Sequence, residues 1–420
     1  MNTFTFVNTP VSASVSAPVH NTDKGEKPVL QDRDFARARA QDSGEKPGFC
    51  SAPTGLTELD HLEHRLAQVE AGLLLNRAEL LELYDVEQGS AAEQLILDTA
   101  QRLGRRLADN QGQVYAQIGV DGRPCPGNCQ FCNYAVMNSG TGSPTTDGSL
   151  TGNSSADTAS ADTASADNLS VSASPIDSPS TTPFDVPPQQ VVAYAAAFAQ
   201  AGVHLISLMA TAAYDFDTYC DLVEQVRDAV GADMPLLANV GDLSLAQAQR
   251  LKVAGINACY HTVRLGEGTL TSIKPAHRLR TCANIQKAGL KLMSGVEPLH
   301  EGQSAAEVVD AILTVARLRP LGSGVCTITA VAGTSLAHLR PLNTMRKRFV
   351  AALARLAFAS TTRLGFVGGI DWVDAGADPR ARSATLTAIE TDFGDKVQDA
   401  KLRLEGDGWR IPRSPTGFWL

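Results

Sequence analysis

Val114-Tyr115-Ala116-Gln117-Ile118-Gly119-Val120 leads within five residues to Cys125-Pro126-Gly127-Asn128-Cys129-Gln130-Phe131-Cys132. The first stretch is apolar and strand-like, and the second packs three cysteines into one short loop. Three thiolates on one loop can hold three irons of a [4Fe–4S] cluster, leaving the fourth iron without a protein ligand. Electron-transfer clusters normally take four cysteines, so a triplet suggests a cluster with a place for a further ligand. Structural zinc needs four ligands, commonly two separated pairs, and the nearest histidines in sequence, His20, His61 and His204, are far off. A disulfide framework calls for a denser, extracellular cysteine pattern than eight in 420 residues.

Downstream of the loop, apolar runs alternate with helical periodicity. The pattern predicts strands over 114–120, 204–212, 235–240, 257–263, 290–297, 325–331 and 363–367. Helices are predicted over 189–201, 217–230, 244–254, 276–288, 305–318 and 343–358, with Gly202, Gly231, Gly255 and Gly289 as C-terminal stops. Regular βα repetition implies an α/β fold with a parallel sheet and helical crossovers. The number of units favours a (β/α) TIM-type barrel, full or partial. Such barrels do their chemistry at the C-terminal ends of the strands, which is where a loop following the first strand falls.

The flanks read differently. Residues 1–55 are polar without a sustained period and are predicted to be a disordered leader. Residues 56–110 carry helical spacing at Leu59, Leu62, Leu66 and Val69 and again over 91–107, predicting N-terminal helices before a core over 111–375. Within that core, 139–187 is a low-complexity tract that repeats Ala-Asp-Thr-Ala-Ser at 156–160 and 161–165, and is predicted to be a disordered surface insert. Residues 376–420 form a C-terminal extension expected to close the barrel. Hydrophobic content of 43% supports a sizeable core, and a net charge of −9 argues against nucleic acid or anionic membranes as partners. No apolar run is long enough to span a bilayer. The first residues lack a secretory pattern, so a reducing cytoplasm is expected.

The triplet, with an aromatic residue before its last cysteine, resembles the radical S-adenosylmethionine superfamily. Ala238-Asn239-Val240-Gly241-Asp242-Leu243-Ser244, Gln247 to Leu251, Arg278 and Gly333-Thr334-Ser335-Leu336 are similar to the group of biotin synthase, the hydrogenase maturase HydE and methylornithine synthase. Tyr260 to Gly268, Gly295-Val296-Glu297-Pro298 and Val373 to Arg380 look most like HmdB, a radical protein associated with assembly of an iron-guanylylpyridinol cofactor. The resemblance implies a [4Fe–4S] cluster on Cys125, Cys129 and Cys132, and S-adenosylmethionine as second cofactor. It implies reductive cleavage to a 5′-deoxyadenosyl radical that takes hydrogen from a small-molecule substrate in cofactor biosynthesis. An electron donor such as flavodoxin or ferredoxin follows as partner.

The same resemblance assigns roles by position. Phe131 packs near adenine or serves only the core. Met209, Ala210 and Thr211 offer backbone to the methionine amino group. Arg278 matches the arginine that meets the methionine carboxylate, with a solvated helix arginine as the alternative. Arg264 replaces a family acid at the ribose, so S-adenosylmethionine or an anionic substrate is its ligand. Glu297, at the end of the fifth strand, is a functional candidate needing a partner such as Arg264, since an unpaired buried carboxylate is unfavourable. Cys326, read as the start of strand six, and Arg363 are substrate candidates, with Asp371 and Asp374 nearby. Cys220, Cys259 and Cys282 read as core packing. The three extra cysteines that hold biotin synthase's sulfur-donating cluster fall here on Met209, Leu237 and Met293, leaving only Arg363 of that set. Biotin synthase-type sulfur insertion is therefore the weaker enzymatic alternative, and a non-catalytic iron–sulfur scaffold is the alternative of another class.

Overall fold

The structure is a computed structural model, described here for residues 57–132, 134–135, 185–328, 336–358, 362–375, 386–415 and 419. The leader, nearly all of the insert, Gly333-Thr334-Ser335 and Gly376 to Arg380 lie outside the described residues. Three helices come first: α1 (Glu58–Glu70), α2 (Arg77–Tyr84) and α3 (Ala91–Leu107). Thr57 with Asp60, and Asn76 with Glu79, form reciprocal capping boxes that fix the starts of α1 and α2. The short α2 was not anticipated, although Asn76-Arg77-Ala78-Glu79 carries the box in its sequence.

The alternating region forms one sheet of eight parallel strands in the order β7-β6-β5-β4-β3-β2-β1-β8. The strands are β1 (Gln113–Gly119), β2 (Leu205–Met209), β3 (Leu236–Asn239), β4 (Ala258–Tyr260), β5 (Lys291–Leu299), β6 (Gly322–Thr327), β7 (Leu364–Gly365) and β8 (Ile370–Ala375). Helices α4 (Pro188–Ala201), α5 (Phe216–Val230), α6 (Leu245–Ala254), α7 (Pro275–Lys287), α8 (Ala305–Leu318) and α9 (Thr344–Phe358) lie between successive strands from β1 onward. This is a nearly closed TIM-type barrel, with its open seam between β7 and β8.

The seam departs from the predicted pattern. β8 was not foreseen, because no helix separates it from β7; the link is Phe366 to Gly369. Gly365 permits this turn: its φ is +88°, and a Cβ there would lie 1.9 Å from the Ser323 carbonyl oxygen. After β8, α10 (Leu386–Gly406) lies against α4 and β8. Arg403 on α10 reaches Asp371 at 2.8 Å, so Asp371 faces outward and its neighbour Trp372 inward, edge-on to Tyr115 at 5.2 Å. Asp371 therefore serves the barrel's outer wall, which corrects its expected place near substrate. Trp419 is buried against Tyr115, and its Nε1 donates to Gln113 at 3.2 Å. His204 ties β1 to the C-terminal segment: its Nδ1 accepts from the Val114 amide at 2.9 Å, and its Nε2 donates to the Pro412 carbonyl at 2.9 Å.

Two apolar clusters hold the barrel. One joins β1–β4 to α4–α7 and α10, and the other packs α1–α3 against α8, α9 and the outer faces of β5 and β6. Val296 and Val325 belong to the second cluster. By strand alternation, Glu297 and Cys326 then point to the barrel axis. Among the described residues no helix is long and apolar enough to cross a membrane.

Candidate functional site

The cysteine loop leaves β1 at the C-terminal end of the barrel and folds against the segment that joins β4 to α7. The Gln130 amide donates to the Leu270 carbonyl at 2.9 Å, and the Ser272 amide and hydroxyl donate to the Gly127 carbonyl at 3.1 and 2.9 Å. Within the loop, the Cys132 amide donates to the Cys129 carbonyl at 2.9 Å, and the Tyr134 amide approaches Cys132 Sγ at 3.5 Å. Gly127 lies between the thiols. A Cβ on it would meet Cys125 Sγ at 3.6 Å and Cys129 Sγ at 3.7 Å, so a side chain here would fill the space between the two sulfurs. Asn128 Oδ1 is buried beside them without a hydrogen-bond partner.

This donor set fits an iron–sulfur cluster. All three cysteines are free thiols of intermediate exposure. A zinc site gathers its ligands around one ion, yet among the described residues no three His, Cys, Asp or Glu side chains converge on one ion position. A cluster takes each thiolate at a separate iron, so spaced sulfurs suit it. Burial pushes the Cys129 thiol up to about 11, against the opposing pull of Arg264 and Arg278. Cys132 is raised for the same first reason.

Behind the loop lies a charged network supplied by three strand ends and α7. Arg278 is 5% exposed, so the solvated alternative is excluded; neighbouring Arg280 is the exposed one. Its Nη1 is 3.3 Å from Asp242 Oδ1, and its Nε is 3.4 Å from Glu267 Oε2 without hydrogen-bond geometry. Asp242 also accepts from His261 Nε2 at 2.9 Å and Thr281 Oγ1 at 3.2 Å. Burial alone would raise the Asp242 carboxyl, but the His261 hydrogen bond and the Arg278 charge outweigh it and bring it down to about 2. Burial lowers His261, which stays neutral and donates. Glu267 accepts from Thr271 Oγ1 at 2.8 Å and the Arg264 amide at 3.0 Å.

Arg264 links the loop to the barrel interior. Its Nε donates to Glu297 Oε1 at 3.0 Å, while Tyr260 Oη donates to Glu297 Oε2 at 2.7 Å. Burial works against the Arg264 charge, but Glu297 and then Tyr260 hold the guanidinium above its ordinary value. Cys129 and Cys132 both feel this charge. Gly295 makes room for the pair: a Cβ there would sit 2.6 Å from Tyr260 Oη and 3.3 Å from Glu297 Oε2.

The other anticipated residues divide. Phe131 is half-buried in the loop. Met209 ends β2, and the Ala210 amide donates to the Asn239 carbonyl at 2.9 Å. Thr211 is anchored by Asp121, through its amide at 2.7 Å and its hydroxyl at 2.6 Å. Cys326 is the penultimate residue of β6 rather than its start, because Gly322 and Ser323 already pair with β5 and β7. That puts it at the C-terminal face. Arg363 falls at the wrong end: it precedes β7, is exposed, and its Nη2 is 3.3 Å from Asp109, which precedes β1. A substrate role for Arg363 at the catalytic face is corrected by that position. Asp242 and Asp121 were not singled out. Asp242 stood in a quoted motif, but its link to His261 and Arg278 spans 19 and 36 residues.

No family profile matches the chain. The biotin synthase of Clostridium perfringens is 28% identical over 188 residues, covering 42% of this chain and 57% of that protein. The biotin synthase of Microcystis aeruginosa is 22% identical over 294 residues, covering 67% and 70%. The chain thus spans little more than half the length of the Clostridium relative. Among solved structures, methylornithine synthase (PylB) superposes with a TM-score of 0.61 at 14% identity, over 84% of this chain and 97% of that one, a likeness of fold. In sequence the chain is thus similar to biotin synthases, and in fold to methylornithine synthase.

Proposed function

We propose that the protein binds a [4Fe–4S] cluster and S-adenosylmethionine at the C-terminal face of its barrel and uses them to take hydrogen from a small molecule held in the lumen. One observation carries this reading: a three-cysteine loop is docked over the barrel mouth, beside a buried arginine with an unsatisfied Nε and above a polar lumen. Cys125, Cys129 and Cys132 hold three irons. When bound, the cluster and S-adenosylmethionine supply a carbon-centred radical by one-electron reductive cleavage. Arg278 meets the methionine carboxylate, as a guanidinium suits a carboxylate, with Asp242 and Glu267 fixing its orientation. The backbone of Met209 to Thr211, held by Asp121, borders the same ligand. Arg264 stands between cofactor and lumen, where Glu297 sets its direction.

The lumen positions where biotin synthase carries its extra cysteines are thioether and aliphatic here, so the reaction proposed is not sulfur insertion. The segments Tyr260 to Gly268 and Gly295 to Pro298 favour small-molecule cofactor assembly, with a flavodoxin- or ferredoxin-like reductant. The test is anaerobic reconstitution with iron and sulfide, followed by S-adenosylmethionine and dithionite. Equal amounts of methionine and 5′-deoxyadenosine are expected; a cluster-loaded protein yielding neither rules the reading out.

A further inference from the structure

Strands β8, β1 and β2 carry a polar row on the inner wall that the reaction above leaves unused. Asp371 is bonded outward to Arg403, and Trp372 lies inside against Tyr115. Val373 then packs outward into the apolar core, and Asp374 points to the barrel axis. The parallel register sets Asp374 beside Gln117, and Gln117 beside Ser207. Residues paired in this way share a face, and adjacent strands lie about 4.8 Å apart, so the three side chains form one row. Among the described residues, none of the three side chains has a hydrogen bond or an ion pair. Ser207 is fully buried, with its Oγ unpartnered. Asp374 keeps an exposed surface, but the surrounding wall desolvates its carboxyl and holds it above the ordinary value, with the Lys396 charge opposing. The other lumen carboxylate, Glu297, is already matched by Arg264 and Tyr260. Asp374 is not matched.

We propose that Asp374, Gln117 and Ser207 form a subsite for a protonated amine, and that the molecule from which hydrogen is taken carries one. This rests on the radical reading given above. The row offers a carboxylate, an amide oxygen and a hydroxyl oxygen. An ammonium brings three N–H donors and no acceptor, so each oxygen can be met. A carboxylate guest would face Asp374 as a like charge, and a neutral hydroxyl would leave Asp374 desolvated without a counter-charge. The donor set does not suit a metal ion, since among the described residues no three His, Cys, Asp or Glu side chains gather around one position. In the sheet order β1 stands four places from β5, so the row faces the Glu297–Arg264 pair across the lumen. A guest anchored on the row lays its carbon chain between the two walls, below the cysteine loop.

The test compares perdeuterated probes of equal chain length: n-pentylammonium, n-pentanol and pentanoate. Each is given to the reconstituted protein with S-adenosylmethionine and dithionite, and the deuterium carried per 5′-deoxyadenosine formed is weighed by mass spectrometry. The wild type is expected to take at least about tenfold more label from pentylammonium than from the other two, the scale of a hydrogen bond to a charged group. In Asp374→Asn the preference over pentanol should disappear. A second readout uses protein without its cluster. Pentylammonium chloride should raise the melting temperature of the wild type more than pentanol with sodium chloride does, and should not do so in Asp374→Asn. That variant alone should melt at or above the wild type, because it loses an unmatched charge; a carboxylate serving only the fold would lower it. No label from any probe, equal label from pentylammonium and pentanol, a preference for pentanoate, or a preference retained in Asp374→Asn would each overturn the subsite. So would a wild type whose melting pentylammonium leaves unmoved, or an Asp374→Asn that melts lower. A wild type that makes no 5′-deoxyadenosine contradicts the cleavage reading instead, and the melting shift then decides the subsite alone.

Discussion

Replacing Arg278 by methionine removes the cation from between two carboxylates while keeping the length of the side chain. Breaking a buried charge pair on one side costs about 3–5 kcal/mol. The structure argues for the lower end. The Asp242 side chain is 33% exposed and keeps its bonds from His261 and Thr281, so its share is screened. Glu267 is the acute case: its side chain is 1% exposed, and it is left with Thr271 and one amide. A loss of about 2–3 kcal/mol is expected, read as a lower urea midpoint for the cluster-free protein at neutral pH. The double variant Arg278→Met/Glu267→Gln removes the stranded charge and should recover about 1 kcal/mol or more of the loss. A single variant within about 0.5 kcal/mol of wild type, or a double variant less stable than the single, would refute the reasoning.

Single Cys125→Ala, Cys129→Ala and Cys132→Ala variants should each fail to retain iron after anaerobic reconstitution, measured as iron and sulfide per chain, since in the proposed cluster every thiolate would serve its own iron. Gly295→Ala drives a methyl group into Tyr260 Oη and should cost about 1–3 kcal/mol as overpacking, seen as a lower melting temperature. His204 is held neutral by burial, which depresses its pKa in the folded protein. The unfolded chain then binds more protons below the ordinary histidine value of about 6.5, so this contribution to stability is whole above that pH and lost as pH falls toward the folded value. Urea midpoints should drop between neutral and mildly acidic pH, and His204→Gln should flatten that slope.

The barrel was legible because each βα unit repeats two periods in turn, alternate burial along the strand and an apolar stripe on the helix. The repetition breaks at the seam. Leu364–Gly365 and Ile370–Ala375 are joined without a helix, and Gly368 and Gly369 read as loop. Gly322 and Gly324 hid the start of β6 in the same way, since glycine is a poor strand residue, and this misplaced Cys326 by half a strand. Arg363 was placed by correspondence with a relative, which does not say which end of a two-residue strand a side chain occupies. The cysteine loop and the Arg264–Glu297 pair could be anticipated from residue type at strand ends. The Asp242–His261–Arg278 network could not, because its members meet only when β3, β4 and α7 come together in the barrel.

The central claim is that three cysteines at the barrel mouth hold a cluster whose remaining iron takes S-adenosylmethionine. Electron paramagnetic resonance of the reduced, reconstituted protein tests it most directly. With about four irons per chain, the reduced-cluster signal is expected to shift when S-adenosylmethionine is added and to show coupling to an isotope-labelled methionine carboxylate. A signal that S-adenosylmethionine leaves unchanged, or that persists unaltered in Cys129→Ala, would contradict the account.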